Sequence, residues 1–379
     1  MYAPYFRRLI GASAMMGMCL GVTISPSAAD GGRLLSAVSS GNIVNGRLEN
    51  NEVAGYPSFN ISGVACALGS DNKGGGTASW RVCVVIDDEG ATAQAAILDG
   101  GTLIPTAVRI PLIDDDGQRK IFGEAPNKNK CHGKADLKST NLDGEGVAYA
   151  DGYFYIVGSH GCGRKGGKFT PSSFVAARFR LSEKGKIKDL AATYRLSDAL
   201  TNADPVKAYF ATTLENAENA GDPKVRGLNV EGVAVVDGML YAGLRAPSLD
   251  GAAYIVAAPL EALFAPGSKG LKVAPSVMAL PLGDGVGVRD LSVLPDGKTL
   301  AILTGPTGEN PATPYSVYLR GVAKDANLRP IGRIPLNAGS QANDKAEAIL
   351  PLNANGTEMM ILFDGRANGN ATIYRATAE

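Results

Sequence analysis

The residues best suited to chemistry are charged groups that return at one place in a repeated apolar phrase. Asp143 and Glu145 stand in Leu142-Asp143-Gly144-Glu145-Gly146-Val147-Ala148, and Glu231 in Leu228-Asn229-Val230-Glu231-Gly232-Val233-Ala234. Looser copies are Arg289-Asp290-Leu291-Ser292 and Glu347-Ala348-Ile349-Leu350, the latter preceded by Lys345, and Asn60-Ile61-Ser62-Gly63-Val64-Ala65 has serine in the acidic place. Gathered carboxylates could hold a hard cation such as calcium, with Asp143, Glu145 and Glu231 as ligands, and gathered arginines could clamp a phosphate or carboxylate. The competing use is structural, with the acids accepting hydrogen bonds from neighbouring backbone or pairing with Arg245 and Arg289.

Each phrase leads through a turn into a second apolar run. A unit repeated in this way cannot bury its own face and must pack on its neighbours, which predicts an all-β fold, a single closed β-propeller. The turns Asp151-Gly152, Asp237-Gly238, Asp296-Gly297 and Asn355-Gly356 are those of type I′ hairpins. Third strands are expected near residues 91–98, 174–181, 252–257, 316–319 and 371–375. Fourth strands end in phrases such as Val108-Arg-Ile-Pro-Leu112 and Gly332-Arg-Ile-Pro-Leu336. The last unit lacks a fourth strand, and residues 42–49 are expected to supply it from the N-terminal side, closing the ring and removing its exposed edges. The count is five blades. The longer first two intervals imply insertions at about 115–141 and 197–227, either of which could hold a sixth blade, and the one stretch with helical character is Ser197 to Ala220.

In a propeller the innermost strand starts, and the second strand ends, at the same mouth of the central channel. Counting outward from each turn sets Glu145 near Gly158 and His160, Glu231 near Arg245, Arg289 near Thr304, Glu347 near Asp364 and Arg366, and Ser62 near Asp87. The candidate ligand-binding set is therefore Asp143, Glu145, His160, Glu231, Arg245, Arg289, Asp290, Glu347 and Asp364 around one mouth, a concave place of the kind ligands favour.

Arg7-Arg8, an apolar run to about Ile24 and Ser27-Ala28-Ala29 form a secretory signal peptide over 1–29, too short and too interrupted for a span, leaving 30–379 as a single domain. Arg7-Arg8 also permits the twin-arginine route. Without those residues the chain has 35 basic against 37 acidic residues, a net charge of −2, which favours neither nucleic acid nor an anionic membrane. Four cysteines remain, and in an exported chain they read as two disulfides with three possible pairings; Cys66 and Cys83 lie on the two runs of the first unit and could bridge adjacent strands, which would leave Cys131–Cys162. The rival is a Cys2His2 zinc site using His132 and His160. The glycine-rich Gly158-to-Lys165 stretch lacks the ending of a phosphate loop, and no Gly-x-Ser-x-Gly nucleophile elbow occurs.

With these phrases in hand, the chain resembles an exported bacterial family called domain of unknown function 3616. The likeness rests on Asp143-Gly-Glu-Gly-Val-Ala148 with Tyr155-Ile-Val-Gly-Ser-His160, Leu228-Asn-Val-Glu-Gly-Val-Ala234 with Gly243-Leu-Arg-Ala-Pro247, Val288-Arg-Asp-Leu-Ser292 and Thr304-Gly-Pro306. It implies a propeller and no established activity. The Asp-x-Glu-Gly entry is more distantly similar to esterase-like phytase propellers, but Ser159-His160 stands where those carry an acidic pair. Two functions follow: a periplasmic or secreted protein that binds a small polar or anionic ligand, or a protein partner, at the mouth; or a hydrolase of phosphoesters or other esters in which Glu145 and Glu231 hold a divalent ion or act as base.

Overall fold

The computed structural model describes residues 33–43, 46–49, 55–67, 80–113, 120–126, 131, 133–163, 166–182, 185–212, 227–308, 312–335 and 344–376. The expected signal peptide, His132 and residues 213–220 of the expected helical stretch lie outside them. Five antiparallel sheets stand around one axis. Blade 1 is β2 (Ile61–Cys66), β3 (Trp80–Asp87), β4 (Thr92–Asp99) and β5 (Thr102–Pro111). Blade 2 is β7 (Gly144–Ala150), β8 (Tyr153–Gly158), β9 (Ala176–Leu181) and β10 (Ile187–Thr193), with β6 (Ile121–Phe122) added parallel to β10. Blade 3 is β11 (Asn229–Val236), β12 (Met239–Leu249), β13 (Ala252–Pro259) and β14 (Ser276–Pro281). Blade 4 is β15 (Val286–Val293), β16 (Thr299–Pro306), β17 (Ser316–Gly321) and β18 (Arg329–Arg333). Blade 5 is β19 (Lys345–Pro351), β20 (Glu358–Asp364) and β21 (Thr372–Arg375), completed by β1 (Ser36–Ser39) from the other end of the chain.

The ring closes, because β2 touches β7, β7 touches β11, β11 touches β15, β15 touches β19, and β19 returns to β2. Apolar side chains pack between blades and not on the axis. One cluster fills each of the five junctions, including Val157 with Val233 between blades 2 and 3 and Leu303 with Phe363 between blades 4 and 5. Close approach needs small residues: a Cβ added to Gly63 would stand 2.9 Å from the Val147 nitrogen, on Gly146 2.8 Å from the Glu231 carbonyl, and on Gly232 2.7 Å from the Leu291 nitrogen.

The closing strand is Ser36–Ser39 and not 42–49. Leu35, buried between blades 4 and 5, carries the chain there, and its N–H donates to the Arg333 carbonyl. The described residues of 42–49 cross from blade 5 to blade 1 instead: Asn42 N–H donates to Ala371, Leu103 N–H to Asn42, and Leu48 is buried against that junction. Neither insertion holds a sixth sheet among the described residues. The first supplies β6, and the second holds a short helix, α1 (Arg195–Thr201), and a 3-10 turn at Val206–Tyr209. Buried Arg195 ties this region down, donating to the carbonyls of Leu263, Ala265, Gly267 and Lys269.

Asp151-Gly152 and Asp237-Gly238 have the two positive φ angles of type I′ turns. Asp296-Gly297 and Asn355-Gly356 do not: only the glycine is left-handed, and the connections span residues 294–298 and 352–357. There the side chains make the turn, with Asp296 Oδ1 accepting from Lys298 and Thr299 N–H, and Asn353 Oδ1 from Thr357 and Glu358 N–H. Both expected disulfides are present, Cys66–Cys83 between directly paired positions of β2 and β3, and Cys131–Cys162. All four sulfurs are thereby committed, which sets the zinc alternative aside. Among the described residues no helix is long and apolar enough to cross a membrane.

Candidate functional site

Where inner strands start and second strands end, which we term the upper mouth, the register slips at one inner-strand position in every blade, and in blade 3 a second time at Arg245 of β12. Gly144 pairs with Gly158 and Gly146 with Val157, leaving Glu145 as the extra residue. The same one-residue bulge falls on Ser62, Glu231, Arg289 and Glu347. A bulge re-aims one side chain at the cost of one ladder position. Here it turns the same position of all five blades to the axis, which is why those phrases admit a polar residue among apolar ones. All five residues are more than nine-tenths buried.

Three of the five join one ion network across blades 3, 4 and 5. Arg245 Nη1 donates to Glu231 Oε1 at 2.9 Å, Arg289 Nη2 lies 3.2 Å from Glu231 Oε2, and Arg289 grips Glu347 with Nε and Nη2, the former at 2.9 Å. The remaining donors meet carbonyls, Arg245 Nε that of Thr307 and Arg289 Nη1 that of Pro306. Two glutamates and two arginines make the network neutral, and the glutamates hold Arg289 firmly protonated despite its burial. Neither arginine is free to clamp an anion, as the sequence suggested they could be, because each guanidinium is enclosed by its own carboxylates and carbonyls.

Glu145 differs. It is 7% exposed, and among the described residues no donor bonds its carboxylate. Burial, then the charges of Glu231, Asp143, Asp88 and Glu347, pushes its carboxyl well above the usual range. Asp88, missed by sequence reasoning because it follows the second strand of blade 1, is pushed up likewise by burial, then by Asp143, Asp364 and Asp87, and its Oδ1 has no partner. Asp143 is partly exposed, with a positive φ and its N–H on Asn141 Oδ1. Asp87 is bonded by the Ser58 hydroxyl and Glu89 N–H, and burial still pushes it up to about 6. The mouth is thus divided, with a neutral sealed network over blades 3 to 5 and an acidic side formed by Glu145, Asp143, Asp88 and Asp87 over blades 1 and 2.

Other expected members each have partners of their own. Asp290 occupies the position held by glycine in blades 1 to 3; it is fully buried at the junction of blades 4 and 5, accepting from Leu291 and Ile349 N–H. Where the glycines let the next inner strand's backbone approach directly, its carboxylate instead bridges to the Ile349 N–H of that strand. His160 is turned inward at a positive φ, fully buried, its Nδ1 2.9 Å from the Gly158 carbonyl and its ring edge-on to Phe174; burial lowers it to about 4. Asp364 pairs with Lys345 at 2.9 Å, and Arg366 with Asp344. Among the described residues no three His, Cys, Asp or Glu side chains are grouped as a metal site, and both Glu231 oxygens face arginines.

A family model described as Protein of unknown function (DUF3616) matches residues 126–184 and 183–374. No curated protein matches. Among solved structures, the chain is similar to a putative 6-phosphogluconolactonase from Bacteroides fragilis NCTC 9343, with 13% identity, 83% of this chain and 79% of that one covered, and a TM-score of 0.33. It is also similar to an alpha-L-arabinofuranosidase from Clostridium thermocellum ATCC 27405, at 9%, 81%, 82% and 0.38 on the same measures. Likenesses this remote bear on none of the chemistry of the mouth.

Proposed function

The chain belongs to the family described as Protein of unknown function (DUF3616), and on that premise we propose that it is an exported propeller that binds a small polar ligand, rich in hydrogen-bond donors or positive charge, at the upper mouth. One observation carries this: Glu145, a buried ring carboxylate with no arginine of its own, stands beside Asp143 and Asp88 while every arginine of the ring is enclosed across the axis. Unmatched acceptors in a low-dielectric recess favour a donor or cation far more than they would in water. The two disulfides support export; cleavage near Ala29 would be read by N-terminal sequencing of the secreted protein.

Calorimetric titration with spermidine, citrate and calcium tests the reading. Spermidine binds, more weakly as salt rises, and Glu145→Gln weakens it at least tenfold while citrate gives no saturable heat. Failure of wild-type protein to bind spermidine, or equal binding by Glu145→Gln, would end the proposal. Calcium decides the alternative, a divalent-metal hydrolase of phosphoesters or other esters: saturable calcium binding abolished by Glu145→Gln would turn the choice toward it and justify ester assays.

A further inference from the structure

The axis has a second opening. At the lower end, where the inner strands finish, a cavity of about 240 Å³ is framed by residues of all five blades, among them Val147, Val235, Val293 and Pro351. Every inner strand is the last of its sheet, so the edge it turns to the axis pairs with no further strand. Unladdered N–H and C=O groups therefore line the cavity between apolar side chains. Asp151 and Asp237 stand at its rim on exposed hairpin turns.

Among the described residues, Arg81 of β3 is the one cation in the wall. Its side chain is partly buried, and among the described residues its guanidinium makes no hydrogen bond or ion pair, while its main chain lies in the β3–β4 ladder opposite Leu98. Burial lowers its affinity for the proton, and among the described residues no carboxylate counters that. A guanidinium does not shed its proton in a protein, so a partly desolvated one with no counter-charge is an anion receptor in waiting, and its fork matches a carboxylate bidentately. The volume is below the ~300 Å³ at which pockets accept drug-sized molecules, which limits the body of the ligand.

We propose that the lower cavity binds a small organic monocarboxylate, its carboxylate forked by Arg81 and its apolar body against the valine and proline side chains of the inner strands. The site lies roughly 15–20 Å from the upper mouth, the length of one inner strand, and is independent of the ligand bound there.

Hexanoate is the probe and hexan-1-ol its uncharged control, titrated into the mature protein by calorimetry and by amide chemical-shift mapping. Hexanoate binds saturably with shifts confined to residues near 147–151, 233–237 and 291–297; hexan-1-ol does not saturate at the same concentrations. Arg81→Gln weakens hexanoate at least tenfold, and Arg81→Lys less. Equal binding by Arg81→Gln, equal binding of hexan-1-ol, or shifts centred on the upper mouth would overturn the proposal. Should Arg81→Gln fail to fold, the wild-type map and the alcohol comparison decide it alone.

Discussion

Glu145 and Glu347 hold the same ring position in different blades, yet they should respond oppositely to loss of charge. Glu347 is forked by Arg289, so Arg289→Met leaves Glu231 and Glu347 as buried carboxylates without their shared cation. Urea unfolding should show a loss of about 3–5 kcal/mol, the usual cost of breaking one side of a buried pair. Glu145 is opposed by neighbouring acids, so Glu145→Gln should be neutral or stabilising in the same measurement; a loss comparable to that of Arg289→Met would show that a bond to its carboxylate holds the ring. Two further buried groups contribute to the pH dependence with opposite signs. Asp87 is raised from 3.8 to about 6, so the folded state binds more protons across that window and loses stability as pH rises through it. His160 is lowered from 6.5 to about 4, so its contribution is lost as pH falls through that window. Each is worth about 3 kcal/mol at 1.36 kcal/mol per pKa unit. The two oppose each other between pH 4 and 6. Relative to wild type, Asp87→Asn should therefore shift toward loss of stability at acid pH, and His160→Asn, which tolerates the left-handed backbone, the reverse; urea midpoints from pH 4 to 7 check both.

At the scale of the strand, the repeated bulge explains what could be read in advance. A polar residue recurring before an apolar run, then a turn, is a linear pattern, so the strands, the five blades and the facing of Glu231 toward Arg245 were legible. The bulge was not, because it is a mismatch between two strands and leaves no mark on either alone. Nor was the engagement of Arg245 and Arg289, which depends on the Thr307 carbonyl just past the next blade's second strand and on the Pro306 carbonyl at the end of Arg289's own second strand. The longer turns at Asp296 and Asn353 escaped because Asp-Gly and Asn-Gly serve more than one loop length. Asp290 misled for a related reason: its charge suggested the mouth, whereas the inner strand's alternation places it in the wedge between blades. That wedge can be tested. Gly232 shows no positive φ and sits 2.7 Å, by its added Cβ, from Leu291 nitrogen, so Gly232→Ala should cost about 1–3 kcal/mol by overpacking alone. Gly152, with a φ of 79° and nothing within 4 Å, should lose only the ~1–2 kcal/mol of left-handed strain on change to alanine. If thermal unfolding showed Gly232→Ala to be silent, the blades would not be wedged at that strand.

At the scale of the whole molecule, a ring made from one chain is only as strong as the seam where its ends meet. Blade 5 takes three strands from the C-terminal part of the chain and one, Ser36–Ser39, from the N-terminal part. Four of the five junctions can form from blades adjacent in sequence; the fifth, where β19 meets β2, joins parts far apart in the chain and must form late or together with β1. Leu35 anchors the N-terminal segment a second time by lying between blades 4 and 5. A chain beginning at Ser40 therefore loses the β1 ladder and the Leu35 anchor, and β21 becomes an uncovered edge. Burial of one leucine is worth about 1.5–3 kcal/mol, and the ladder bonds about 1 kcal/mol each, so truncation should cost roughly 3–5 kcal/mol. It should also add a concentration-dependent association that scattering detects, since an open edge recruits other strands. A chain beginning at Asp30 retains both ties and should melt in one transition. If the shorter chain melted at the same temperature and stayed monomeric, the inner-strand contacts alone would hold the ring, and β1 would be an ornament on blade 5 with no part in bringing Glu145, Glu231, Arg289 and Glu347 to one axis.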